Sequence, residues 1–276
     1  MQGYSQNQEL KVGAYNIGLG AVIGGVGSLI NKEKKEKPLY ALWRGVKYGA
    51  LGGTGMYLGK KLSYQVNNSN SLAFAWPSKI LHNAGASIVE NASAHSKNIF
   101  GKWNFSIGFV RLSVETKDRW KLQGRIMPAS FATFVIGCFN ERFLAKESIQ
   151  YGTPVFSFSS TSPRATSTIA TTLSNTVYVV DTLNTTKFKI YAHEHIHVLQ
   201  QREYVNINTW FGPLYNQPSV KNNKFVSTLS KYIYPDVPYN YAVYGIMYRK
   251  GICYFNNFHE FEAEYFATHR DVFRCK

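Results

Sequence analysis

Acidic residues are scarce in this chain. Its 276 residues include 16 Asp and Glu against 31 Lys and Arg. The net charge of +15 points to an anionic partner: nucleic acid, a lipid surface or an acidic substrate. Cysteine is scarcer still, at three residues, too few for a disulfide scaffold. Only Cys253 and Cys275 lie in one terminal region; they could pair in an oxidising compartment, leaving Cys138 free. Charged residues of both signs reach only 17%, but hydrophobic residues make up 45%, which excludes wholesale disorder. Several functional signatures are missing too. The glycines of residues 18–27 lack a following Lys-Ser/Thr, so no phosphate loop is present. There is no nucleophile elbow and no recognisable nucleic-acid motif. Nucleic acid is therefore not expected as a partner, and anionic lipid is the simpler explanation of the charge.

The length suits one large domain or two smaller ones. Residues 1–65 differ in composition from the rest. The stretch from Gly13 to Ile30 has no charge and six glycines. A charged run follows from Lys32 to Pro38, then a second apolar stretch from Leu39 to Gly59, interrupted by Arg44 and Lys47. Glycines recur at spacing four: Gly20 and Gly24; Gly45, Gly49 and Gly53; Gly55 and Gly59. That spacing lets helices approach closely. The expectation is a glycine-rich helical hairpin, residues 13–59, in or on a lipid membrane, with oligomers through the same glycines a further option. The first ten residues lack the basic start of a signal peptide. If the hairpin spans, its Lys-rich turn belongs in the cytoplasm and the bulk of the chain outside, in the cell envelope.

Residues 66–72 read as a polar linker and Pro77 to about Ala92 as a helix, completing a second segment over 66–99. Residues 100–276 read as the main domain. Phe105, Ile107 and Phe109 alternate with polar or small residues, and Trp120, Leu122 and Ile126 are nearly in step. Further strands are expected over 131–139, 154–158 and 176–181, separated by Ser/Thr-rich connections such as 159–174. This gives about five strands, mostly antiparallel, with one face buried. Residues 205–240 should be mostly loop with short helices. The fold class is α+β.

One segment carries chemistry. Residues 191–201, YAHEHIHVLQQ, contain H-E-x-x-H as His193, Glu194 and His197. On a helix the two histidines lie about 40° apart on one face and can share a tetrahedral Zn²⁺. Glu194 sits to one side, where it can activate water as a general base. His195 falls about 200° from His193, pointing away. A third ligand is needed. Residues 258–267, FHEFEAEYFA, place Glu260, Ala263, Glu264 and Ala267 on one helical face. The small residues would let this helix approach the first, with Glu260 binding the metal and Glu264 behind a ligand histidine. Glu262 lies on the opposite side. Candidates for an oxyanion donor are Tyr241, Tyr244, Tyr248 and His259, with nothing to select among them. His82, His95 and His269 read as structural or surface residues.

This combination resembles zincin metallopeptidases of the gluzincin type, in which two His of H-E-x-x-H and a Glu from a downstream helix hold zinc. It is similar to membrane-bound CAAX-prenyl-protease-like peptidases, which carry E-x-x-A-D on the second helix. Glu260 matches the first acid, and Glu264 stands where that Asp would be. It is also similar to bacterial envelope proteins with H-E-x-x-H-x-x-Q, the Gln matching Gln200. The resemblance covers about residues 188–270. It implies a zincin-like domain in which a sheet precedes the motif helix and an edge strand holds a peptide or protein substrate. The function expected is zinc-dependent hydrolysis of peptide bonds at a membrane. The rivals are a zinc-binding protein without catalysis and a membrane structural or pore-like envelope protein.

Overall fold

A computed structural model describes residues 2–116, 120–166, 168–183, 186–248, 254–269 and 272. The Cys253–Cys275 pair lies outside the described residues. The fold is mixed α+β. Its helices are α1 (Gln2–Ile30), α2 (Pro38–Leu62), α3 (Tyr64–Asn68), α4 (Ala75–Ser93), α5 (Pro128–Asn140), α6 (Ala145–Tyr151), α7 (Lys187–Val205), α8 (Gly212–Tyr215), α9 (Pro218–Lys221), α10 (Lys224–Tyr232), α11 (Tyr239–Met247) and α12 (Phe258–Thr268). The strands are β1 (Lys102–Ile107), β2 (Val110–Glu115), β3 (Lys121–Ile126), β4 (Arg142–Phe143), β5 (Val155–Phe158), β6 (Ala170–Leu173) and β7 (Thr176–Val180).

Glycines set the geometry of the first layer. A Cβ at Gly20 would lie 2.4 Å from the Gly49 carbonyl oxygen, and one at Gly24 would lie 2.5 Å from that of Gly45. So α1 and α2 run antiparallel with their backbones in contact. The glycines of α2 serve two partners. Gly45, Gly49 and Gly53 face α1, whereas Gly52, Gly55 and Gly59 face Gly85, Val89 and His82 on α4. The layer is fastened to the rest of the molecule: Val12 of α1 shares a core cluster with Ile196 and Leu199 of α7 and Phe261 and Phe266 of α12. Residues 66–72 are not a linker. They form α3 and a turn, and Val66 and Leu72 are buried in the main core.

Among the described residues the strands number seven and form two sheets, not one. β1-β2-β3 is antiparallel throughout. The second sheet has the order β4-β5-β7-β6, with β5 and β7 parallel and the other pairs antiparallel. β5 and β7 are buried on both faces, not one. The first sheet departs further from expectation, because its buried face is the polar one. Asn104, Ser106, Arg111 and Ser113 are buried, while Leu122 and Ile126 are exposed and Trp103, Phe105, Leu112 and Val114 only half-buried. The reason is α4, whose Asn83, Ser87 and Glu90 face that sheet. Glu90 accepts from Arg111 and Arg202, Asn83 Oδ1 accepts the Ser106 N–H, and Ser87 exchanges hydrogen bonds with the Asn104 backbone. Burying polar groups is costly unless they are hydrogen-bonded, and α4 partners the Ser106 and Asn104 backbone and one nitrogen of Arg111, while Ser106 Oγ and Arg111 Nε and Nη1 make no hydrogen bond among the described residues.

The stretch 131–139, read as a strand, is helix α5. Pro128 occupies its first turn and its apolar run shows no period of two. No residue next to it caps its N-terminus; Asp236, more than a hundred residues on, accepts from the Ala129 and Ser130 N–H groups at 2.8 Å each and from the Ser130 hydroxyl. Asp236→Ala is expected to destabilise the fold by about 1–2 kcal/mol, the worth of an N-cap, read as a shift in the denaturant midpoint at unchanged slope. An unshifted midpoint would show the cap to be dispensable.

Candidate metal centre

α7 follows β7 and carries the H-E-x-x-H segment through the core. Ala192, Ile196 and Leu199 are buried, as is most of the helix around them, including Glu194, His195 and Val198. α12 crosses it with Ala263 and Ala267 fully buried, small enough for a close approach. Asn257 caps α12 by accepting the His259 N–H at 3.0 Å, which fixes where the helix starts and sets Glu260 in its first turn.

These two helices bring His193, His197 and Glu260 together. His193 Nε2 lies 3.1 Å from Glu260 Oε2, His197 Nε2 lies 3.3 Å from the same oxygen, and the two Nε2 atoms are 3.2 Å apart. Four ligands about 2.0–2.1 Å from a tetrahedral ion stand about 3.3–3.4 Å from one another. The triangle therefore matches one face of such a tetrahedron. Both outer ring nitrogens have acceptors: His193 Nδ1 faces Glu264 at 3.5 Å, and His197 Nδ1 faces Gln200 Oε1 at 2.8 Å. Glu264 is itself held by Lys189 at 2.7 Å. Burial pulls the His193 pKa down, but Glu260 and Glu264 outweigh it and raise it to about 10. Burial also opposes ionisation of Glu260, yet the two histidines hold it far below the usual carboxylate range. The cluster thus demands positive charge, from protons or from a cation.

Glu194 is 5% exposed and stays out of the triangle. Its Oε2 accepts from Thr172 Oγ1 at 2.7 Å. Thr172 belongs to β6, the edge strand that emerged from the stretch read as a Ser/Thr-rich connection. Beside it lies a cleft of roughly 250 Å³, bordered by Thr171 to Leu173, Glu194, His197 and Glu260 and roofed by Tyr241, Tyr244 and Tyr254.

The four oxyanion-donor candidates separate here. The Tyr241 hydroxyl is engaged by β6, accepting the Ser174 N–H and donating to the Thr172 carbonyl. His259 meets the Tyr204 hydroxyl, and burial pulls its pKa to about 4. Tyr248 is 58% exposed and stacks on Tyr244. Tyr244 and Tyr254, the latter not anticipated from sequence, line the same cleft as Glu260. Burial first, and then Glu260, push both phenols above their usual range, so they keep their protons.

His195 lies away from the cluster, fully buried, with Nε2 3.1 Å from Ser78 Oγ. Glu262 also points the other way, to Lys60 at 2.8 Å. His82 is buried against Glu203, His95 pairs with Glu36, and His269 stacks on Tyr64 and Tyr265. Lys60, Thr172 and Tyr254 had no signal in the sequence, since none belongs to a recognisable motif. No known protein family, curated protein or solved structure matches this chain.

Proposed function

We propose that this chain is a membrane-associated zinc peptidase with a zincin-like domain. The observation that carries the reading is the triangle of His193, His197 and Glu260 atoms, 3.1–3.3 Å on edge, beside the Glu194 carboxylate. His193, His197 and Glu260 would hold a zinc ion, which would supply Lewis acidity and lower the pKa of water toward neutral pH. Glu194, oriented by Thr172, takes the proton of the attacking water and passes it to the departing amine. Tyr244 and Tyr254 donate to the oxyanion that develops on the carbonyl. An extended peptide lies along β6 and pairs with its free edge, displacing the Tyr241 hydroxyl from the Thr172 carbonyl.

Membrane association rests on the outer face of α1 and α2. The segment Gln6–Ile30 is long and apolar enough to cross a membrane by length and composition, with 44% of its apolar window buried within the protein. Val22, Leu29, Trp43, Leu51 and Leu58 are exposed on this layer. Arg44 turns inward to the Ser96 carbonyl and His95, but Lys47 stays exposed. That arrangement suits docking on a lipid surface better than a bare span, because the opposite side of the layer is tied to α4, α7 and α12. The cell envelope, with the catalytic domain outside the cytoplasm, is the location that fits.

Metal content by mass spectrometry tests the reading. Purified wild type is expected to hold about one zinc per chain, lost or much weakened in His193→Ala and Glu260→Ala. No zinc in wild type after supplementation would overturn it and leave a structural role at the membrane.

A further inference from the structure

Gln200 occupies a position that its chemistry determines. Its Nε2 reaches the His259 carbonyl oxygen at 3.1 Å and Glu262 Oε2 at 2.8 Å. A carbonyl can only accept. The Glu262 carboxylate also acts as an acceptor on both oxygens, because Asn16 Nδ2 donates to Oε1 and Lys60 Nζ donates to Oε2 at 2.8 Å. The end of the Gln200 amide that faces them must therefore be the NH₂, and Oε1 is left facing His197 Nδ1 at 2.8 Å. An acceptor there requires a proton on Nδ1. That leaves the Nε2 lone pair of His197 directed at Glu260 and His193.

The donors that hold Glu262 both come from the glycine-rich layer, Asn16 from α1 and Lys60 from α2. Both are 0% exposed. Lys60 is further shared with Glu203, at 2.8 Å, and Glu203 with His82 Nε2, at 3.0 Å. Lys60 follows Gly59, whose missing side chain lets α2 close on His82. The hydrogen bonds thus run without interruption from the hairpin to the metal-site histidine: Asn16 and Lys60, Glu262, Gln200, His197.

We infer that the N-terminal hairpin is a working part of the metal centre: Asn16 and Lys60 hold Glu262, which orients Gln200, which fixes His197 in the tautomer that binds metal. The inference rests on the metal-site reading above. These four are positioning residues, since none reaches the ligand atoms. It assigns Gln200 a task and gives Glu262, the one acid of the 258–267 helix turned away from the site, a purpose. It also means that residues 1–65 are not a detachable anchor.

The test compares zinc affinity, by competition with a chelating dye at neutral pH, in full-length wild type, Glu262→Gln and Lys60→Met. Replacing the carboxylate by an amide leaves one oxygen for three donors, Asn16, Lys60 and Gln200, and turns an NH₂ on the rest, so Gln200 keeps only the His259 carbonyl as a firm hold and the His197 tautomer is less fixed. Loss of such an outer partner typically weakens metal binding by about 10–100-fold, and that loss is expected for Glu262→Gln with an unchanged circular-dichroism spectrum. Lys60→Met strands two buried carboxylates and risks unfolding the chain; Glu262→Gln keeps the Lys60–Glu203 pair and decides the matter if it does. A second readout follows the His197 ring directly. In the cobalt-substituted protein its Nδ1 proton is expected to exchange slowly with water, and quickly in Glu262→Gln. Wild type that binds zinc tightly, with Glu262→Gln binding equally well and its Nδ1 proton equally slow, would overturn the inference and spare the metal site. Wild type that binds no zinc would overturn both.

Discussion

Glu194→Gln is expected to bind zinc as wild type does and to lose peptide-bond hydrolysis by about 10²–10⁴-fold, the usual contribution of a general base. The two halves of this result come from separate observations. Glu194 is not among the three residues whose ligand atoms converge, so the amide leaves the metal set intact. Its carboxylate accepts from Thr172, and a Gln oxygen can accept the same bond, so the side chain keeps its place. What disappears is the basic oxygen. Zinc stoichiometry and cleavage of a broad peptide library, measured on the same preparation, check both halves. Undiminished hydrolysis would remove Glu194 from the mechanism, and loss of zinc would make it a ligand.

Gly49→Ala is expected to be among the most damaging single-methyl additions in the molecule. The new Cβ would lie 2.2 Å from the Gly20 carbonyl oxygen and 3.1 Å from the Ala21 Cα. Both are backbone, so no side chain can swing aside, and α1 and α2 must separate. Overpacking of a close core contact costs about 1–3 kcal/mol and more where the backbone is the obstacle; about 3 kcal/mol is expected here. Gly18→Ala is the control. Nothing lies within 4 Å of its added methyl, and helix propensity then favours alanine by about 1 kcal/mol. Thermal midpoints of the two variants should move in opposite directions. Equal small shifts would show that the helices tolerate a wider spacing.

Much of the candidate site was legible in the chain. His193, Glu194 and His197 needed only the helical period, and the same period put Glu260 and Glu264 on one face with Glu262 opposite. Helical angles are local, set by backbone geometry within a turn or two, so they survive folding unchanged. The proposed oxyanion donors were not legible, because four aromatic or histidine side chains in a Tyr-rich segment differ only in what surrounds them. Burial and the neighbours Thr172, Ser174 and Tyr204 separate them. Thr172 lay hidden in a Ser/Thr-rich connection whose edge strand forms only by pairing with β7.

The first sheet shows the same limit from the other side. The alternation of Phe105 and Ile107 with polar residues correctly marked a strand, since two faces alternate in any strand. Which face turns inward depends on what α4 presents, and α4 presents Asn83, Ser87 and Glu90. The helix α5 was mistaken for a strand because an apolar run without a clear period is ambiguous, and its cap, Asp236, is distant in sequence.

By itself, then, the sequence determined the glycine spacing of the first two helices, the α+β class and the helical faces that carry His193, His197 and Glu260. Each of those patterns is read within a few turns of one chain segment, whereas the meeting of His193 with Glu260, 67 positions on, is tertiary. Tertiary structure alone decided that Lys60 and Asn16 reach across to Glu262, that β6 borders the cleft, and that a polar sheet face is the buried one. Those outcomes join residues up to 246 positions apart, and which of them meet is settled by how whole faces pack, for which no local pattern carries a code.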